Sequence, residues 1–164
     1  MTDIRLRDAT TGDAEAISAI YNPYVEKTII TFEQNPVTAA EMAARVENVR
    51  ATYPWLVCEA AGRVMGYAYA TRWRTRAAYD HTAETTVYLA EKATGQGLGY
   101  KLYMALLQAL RTSGIHAALG CIALPNDASI ALHEKCGFRK VAHFSQVGRK
   151  FDRWVDVGFW QLLF

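Results

Sequence analysis

A mixed α/β fold, with one central sheet of about seven strands and helices on both faces, is what this sequence predicts. Three observations carry that expectation. Short alternating or wholly apolar runs suited to strands recur from one end to the other. Segments with apolar residues at helical spacing separate some of them. Near the middle, a strand-like run from Glu84 to Leu89 passes through alternating glycines, Gly95, Gly97 and Gly99, into a long amphipathic helix.

In chain order, Ile4-Arg-Leu6 alternates and reads as a first strand. Ala16, Ile17, Ile20 and Tyr21 mark one face of a helix from Asp13, expected to stop near Asn22-Pro23 because proline lacks an N–H. Thr38-Ala-Ala-Glu41 is a capping-box pattern that opens a second helix to about Thr52. Strands at Trp55–Ala60 and Val64–Ala70 follow, joined by a tight turn at Ala61-Gly62-Arg63. A basic, aromatic stretch, Arg72 to Tyr79, precedes the strand that ends at Leu89. Leu102, Leu106 and Leu110 line one face of a helix over Leu98–Thr112, with Gly114 placed to cap its end. Ala117–Ala123 is wholly apolar, as a buried strand would be. A helix over Asn126–Lys135, stopped by Gly137, and strands at Phe138–Val147 and Trp154–Leu163 complete the order βααβββαβαββ.

Size and composition bound the function. At 164 residues, 51% of them hydrophobic and 21% charged, the chain is expected to form a single domain over residues 1–164. A net charge of +2 gives no reason to expect nucleic acid or an acidic membrane as partner. No apolar run is long enough to span a bilayer, and the N-terminus has no signal-like apolar stretch, so a cytoplasmic location is expected. Three cysteines, Cys58, Cys121 and Cys136, have no metal-ligand spacing and an odd count, so neither a metal nor a disulfide framework is expected. Cys121 reads as inert core and Cys136, next to Gly137, as the more accessible thiol.

The glycine segment is the chemical signal. Glycines let backbone approach a ligand closely, and the first N–H groups of the helix lack intrahelical partners. With the helix dipole they form a site for the phosphates of a nucleotide-like cofactor. A P-loop is excluded because Tyr100 and Lys101, not Lys and Ser/Thr, follow Gly99. The dinucleotide fingerprint is excluded because Gly97 and Gly99 are too close together and the loop lies past mid-chain. A glycine turn that only caps its helix is the structural alternative.

Several blocks in order then resemble the GNAT N-acetyltransferase superfamily, and within it the phosphinothricin and methionine sulfoximine acetyltransferase group. They are Tyr53-Pro-Trp-Leu-Val, Ala78-Tyr79-Asp with Thr82-Ala-Glu84, and Thr86-Val-Tyr-Leu before the glycine loop. Leu124-Pro-Asn126-Asp-Ala-Ser129 with Leu132-His-Glu-Lys, and Asp156-Val-Gly-Phe-Trp-Gln161, complete the set. The resemblance implies acetyl-CoA as donor and a small amino acid-like amine as acceptor, with detoxification as the role. It also implies a homodimer. One position departs from the superfamily loop: Thr94 stands where Gln or Arg is usual.

Acetyl transfer needs a held pyrophosphate, an aligned pantetheine arm, a neutral amine and a stabilised oxyanion. Gly95, Gln96, Gly97, Leu98, Gly99 and Tyr100 would serve the pyrophosphate through backbone N–H groups. The backbone of Val87, Tyr88 and Leu89 would receive the arm as an edge strand receives a partner, and would supply an oxyanion donor. Asn126, Ser129 and Lys135 match further positions on the cofactor side; a helix cap and a solvated lysine are the plainer readings. Glu84 is the candidate general base, against the alternative of a carboxylate paired with an arginine. His133, where many members have tyrosine, is either an acid for the departing sulfur or a second polar group at the acceptor. A helix-to-strand hydrogen bond would explain it equally. Arg74 and Arg76 with Thr75 would hold acceptor anions, Tyr79 and Phe32 would wall the pocket, and Thr85 and Thr86 would adjoin the base. Phe159-Trp160 reads as core or dimer interface. Direct attack in a ternary complex is the expected mechanism. Another small amine or a protein N-terminus as acceptor, and a non-catalytic acyl-CoA sensor, remain open alternatives.

Overall fold

Seven strands join one sheet in the order β1-β2-β3-β4-β5-β7-β6. The computed structural model describes residues 4–164, so the first three residues of the expected domain lie outside the described residues. The strands are β1 (Ile4–Asp8), β2 (Trp55–Ala60), β3 (Arg63–Arg72), β4 (Thr82–Leu89), β5 (Ala117–Leu124), β6 (Arg139–Lys150) and β7 (Arg153–Leu163). The helices are α1 (Ala14–Lys27), α2 (Ala39–Arg50), α3 (Leu98–Thr112) and α4 (Asp127–Lys135). Every neighbouring pair is antiparallel except β4 and β5, which are parallel and joined through α3.

Side-chain alternation assigns the two faces. Trp55 and Val57 of β2 and Tyr67 of β3 pack with Ile17, Val25, Met42 and Val46 under α1 and α2. Their neighbours Cys58, Ala68 and Ala70 pack on the other face with Leu102, Leu106 and Leu110 of α3. Those three leucines are wholly buried, and each such burial contributes about 2 kcal/mol. The small residues of β3 let α3 lie close to the sheet, and Gly99 at its start lies beside Leu89 at the end of β4.

Two hairpins show why their turns fold. Ala61 and Gly62 both take positive φ between the paired Ala60 and Arg63. Phe151 and Asp152 do the same between Lys150 and Arg153. Positive φ at both central residues fits the right-handed twist of the flanking strands. At the other end, Arg7 binds both carboxylate oxygens of Asp13 at 2.8 Å and Glu59 at 2.8 Å, tying β1 to the start of α1.

One boundary differs from expectation. Helix α1 runs through the exposed Pro23 to Lys27 rather than stopping at Asn22-Pro23. The residues beyond the proline are anchored from outside the helix: Val25 is buried and the Tyr24 hydroxyl donates to the Leu89 carbonyl at 2.7 Å. The capping box at Thr38 is present, with Thr38 accepting from the Glu41 N–H at 3.2 Å.

Candidate active site

The site follows from where the sheet stops being continuous. Strands β4 and β5 pair from Thr82–Ala117 to Thr85–Gly120 and no further. Beyond that point β4 stays with β3 as far as Leu89, while β5 stays with β7 as far as Leu124. The edge of β4 from Thr86 to Leu89 that faces β5 therefore carries backbone groups with no strand opposite them.

Two cavities occupy the parting. The inner one is lined by Glu84, Thr85, Thr86, Cys121, Asn126, Ser129 and His133, with Thr31 and Phe32 on the α1–α2 connection closing one side. The outer one runs over Val87, Tyr88 and Leu89 to Gly95, Gly97, Gly99, Tyr100, Asn126, Ser129 and Lys135. Both share Val87, Tyr88, Asn126 and Ser129, so a ligand lying along β4 passes from one to the other.

The glycine turn is built for backbone contact. Gly97 caps α3 with φ +75° and Gly95 has the same φ, the left-handed region that strains any residue with a Cβ. A Cβ on either would meet nothing within 4 Å, so their space is open. The bond from the Lys101 N–H to the Gly97 carbonyl, 3.2 Å, starts the helical ladder. The N–H groups of Leu98, Gly99 and Tyr100 precede it and have no intrahelical acceptor. Leu98's side chain is core, Gln96 turns back to donate to the Lys92 carbonyl at 2.6 Å, and neither residue lines the outer cavity. Thr94 is exposed and lines the outer cavity, its hydroxyl donating to the Glu91 carbonyl at 2.8 Å. Lys135 sits over the Tyr100 ring at 4.6 Å, linking the end of α4 to the start of α3.

Glu84 is half-buried, and burial alone pushes its carboxyl above the ordinary range. Its carboxylate has no arginine or lysine partner among the described residues, so the paired-carboxylate alternative is not what the structure shows. Opposite stands His133, buried, with Nδ1 at 2.7 Å from the Ser129 carbonyl. A carbonyl can only accept, so Nδ1 carries the proton and Nε2 presents a lone pair. Burial holds the ring's pKa below its usual value, favouring the uncharged ring. Its hydrogen bond closes within α4, not from helix to strand. Asn126 caps α4 by accepting from the Ser129 N–H at 3.2 Å.

Several expected residues lie elsewhere. Arg74, Thr75, Arg76 and Tyr79 do not line the inner cavity. They sit on the β3–β4 connection past Arg72, the last residue of β3 paired to β4, and Arg74 lies 4.9 Å over the Trp73 ring. Thr85 is buried with its hydroxyl engaged: it donates to the Leu119 carbonyl at 3.0 Å and accepts from Tyr103 at 2.6 Å. The thiols are reversed from expectation. Cys121 is exposed and lines the inner cavity, whereas Cys136 is 8% exposed. Cys121 lies one residue past the last β4–β5 pair, so the apolar run that reads as core opens there onto the parting. Trp160 is core. Thr31 and Cys121 are cavity residues that sequence reasoning missed; no local pattern marks either, since what exposes them is the divergence of two strands.

A sheet parted beside a glycine-capped helix, with a lone carboxylate at the fork, defines a group-transfer fold. The family model described as an acetyltransferase (GNAT) domain matches residues 6–158, and the chain belongs to that family of N-acetyltransferases. It is 40% identical over 158 residues to the phosphinothricin N-acetyltransferase of Streptomyces viridochromogenes, covering 96% of this chain and 86% of that one. It is also 40% identical to the L-methionine sulfoximine/L-methionine sulfone acetyltransferase of Pseudomonas aeruginosa, covering 96% of this chain and 92% of that one. A solved phosphinothricin acetyltransferase from Sinorhizobium meliloti, in complex with acetyl-CoA, superimposes with a TM-score of 0.93. That structure is 34% identical, with 98% of this chain and 88% of that one covered.

Proposed function

We propose that this N-acetyltransferase moves the acetyl group of acetyl-CoA to the α-amino group of a small amino acid analogue of the phosphinothricin or methionine sulfoximine type, in a ternary complex. The observation that carries the reading is Glu84: a desolvated carboxylate without a cationic partner, at the point where β4 leaves β5. Names of relatives that are 40% identical along almost the whole chain support the acceptor class.

The residues fit the donor. Unpaired N–H groups of Leu98, Gly99 and Tyr100 suit a pyrophosphate, with Lys135 and Tyr100 at the outer end of the groove. The free edge of Val87–Leu89 suits the amides of a pantetheine arm, although the Leu89 carbonyl already accepts from Tyr24. When bound, acetyl-CoA supplies an activated thioester. Glu84 takes the proton of the ammonium, directly or through water, so that its nitrogen has a lone pair for attack; its raised pKa makes it a better base than a solvated glutamate. A backbone N–H of the β4 edge is placed to stabilise negative charge on the thioester oxygen. His133 Nε2 serves as a second polar acceptor toward the amine, leaving the sulfur to regain its proton from the nitrogen through water.

Cys121 tests the ternary-complex part, because an acetyl-cysteine would be the alternative route. Although Cys121 opens onto the cavity, the protein packed around it desolvates the thiol and, with the Glu84 charge adding, pushes it up to about 11, so almost no thiolate is present at neutral pH. Direct attack therefore needs no relay through this sulfur. The deciding experiment follows thiol release with phosphinothricin, methionine sulfoximine, ordinary amino acids and peptides as acceptors. Short acidic amines should give the highest kcat/KM; peptides as sole acceptors would overturn the reading, and an acetyl-Cys121 adduct in a single turnover would overturn the mechanism.

We further propose that two copies pair through the outer hairpin. Strand β6 is the sheet edge, and Val141, Phe144, Val147, Phe151 and Trp154 along β6 and β7 are each roughly half exposed or more. Exposed apolar groups on an unpaired edge are unstable against association unless covered. A second copy of the chain would cover them; no described helix is long and apolar enough to cross a membrane.

A further inference from the structure

We infer that Gly148 and Lys150, on the outermost strand, are positioning residues for acceptor recognition: they hold the Thr31–Phe32 wall of the inner cavity in place and so decide which acceptors fit. This rests on reading that cavity as the acceptor pocket.

The wall needs holding. Residues 28–38, between α1 and α2, have no helix or strand, and Phe32 is 40% exposed. Its position is fixed from outside the segment. The Thr31 hydroxyl is bonded to Tyr21 at 2.7 Å, and Glu33 is gripped by Arg45 at 2.6 and 2.9 Å. The remaining two fixings come from β6, which a bulge re-aims. Between Phe144 and Gly148 the strand shifts register against β7, and Asp156 ties the shifted part by accepting from the Gln146 N–H at 2.8 Å. Past the bulge, Gly148 and Lys150 turn inward and Arg149 outward.

Gly148 is where the Phe32 ring rests. A Cβ at that position would overlap the tip of the ring, so the ring keeps this place only against glycine, and the contact rather than the backbone angles sets that. Lys150 is 4% exposed, an unusual place for an ammonium, and no carboxylate pairs with it among the described residues. Its hydrogen bond goes to the Thr31 carbonyl at 2.8 Å, with the Phe151 ring 5.1 Å beneath. Burying that charge is costly, and the contact it makes is to the residue before Phe32. Both β6 residues thus converge on one pair of wall residues that face Glu84 across the cavity.

The test compares acceptor and donor kinetics in a double-mutant cycle. Thiol release is measured for amino acid analogues of graded side-chain length, and separately for acetyl-CoA. Gly148→Ala should lower kcat/KM for the preferred acceptor by roughly 10- to 100-fold, as expected for a misplaced pocket wall, and change the order of preference by length. The KM for acetyl-CoA should stay within about twofold, and in a Phe32→Ala background Gly148→Ala should have no further effect. Lys150→Met should act in the same direction as Gly148→Ala. Should Gly148→Ala fail to fold, the Phe32→Ala/Gly148→Ala double and Lys150→Met carry the test. A donor KM that moves as much as the acceptor KM, or a Gly148→Ala effect undiminished without Phe32, overturns the inference. A wild type that acetylates no amine sinks the acetyl-transfer reading and this inference together; an active wild type with unchanged selectivity in both β6 variants sinks the inference alone.

Discussion

Glu84 sets activity against stability. Because burial raises its carboxyl pKa, the folded chain binds that proton more tightly than the unfolded chain does. The resulting stability is present at acid pH and is lost as pH rises from the ordinary glutamate value through the raised one. Glu84→Gln removes a buried charge at neutral pH, so at pH 7 the variant should melt no lower than the parent, while its kcat falls by about 10²- to 10⁴-fold. Calorimetry with a turnover assay checks both; a large drop in Tm would show that the carboxylate is structural. In the parent, kcat/KM should rise with pH through a limb above the ordinary glutamate range, and Glu84→Gln should abolish that limb. At this scale the sequence is only partly legible. Glu84 and the glycines stand in a local motif whose chemistry can be read directly. Cys121 and Cys136 cannot be read so, because exposure there depends on which strand ends beside which.

At the scale of the element, α3 and its glycine turn would couple fold to donor binding on the proposed reading. Gly97 holds a left-handed backbone whose cost to a residue with a side chain is about 1–2 kcal/mol. Gly97→Ala should therefore displace the unpaired N–H groups at the start of α3 and weaken acetyl-CoA binding by about tenfold, with acceptor KM little changed. Titration calorimetry with the donor reads this; unaltered affinity would mean the turn merely caps the helix. The same turn was legible in advance because glycine spacing expresses a local backbone requirement. Helix α1 past Pro23 was not, since its continuation depends on Tyr24 reaching Leu89 far along the chain. The arginines of the β3–β4 connection depend on tertiary context in the same way: composition suggests an anion site, and with β3 ending at Arg72 neither Arg74 nor Arg76 lines the inner cavity.

For the molecule as a whole, the outer hairpin predicts its assembly. Trp154 is 62% exposed, and Trp154→Glu should convert a dimer to a monomer in sedimentation equilibrium while leaving the monomer folded. A parent that sediments as a monomer would refute the pairing. The succession of elements and the mixed sheet were legible from hairpin turns and helical spacing, whereas the place of β7 between β5 and β6 and the parting of β4 from β5 were not, because nothing within those strands says which partner they take or where pairing ends. That parting has a consequence for the lifetime of the protein. Two half-sheets are sewn together by one short seam, Thr82–Thr85 against Ala117–Gly120. On the proposed placement, a donor lying in the gap would bridge them as an absent strand would, so the substrate would double as a clasp. At a hundredfold excess over Kd, such a clasp contributes about 2.7 kcal/mol. The enzyme is therefore expected to resist proteolysis while charged and to open along its seam when the supply of donor fails.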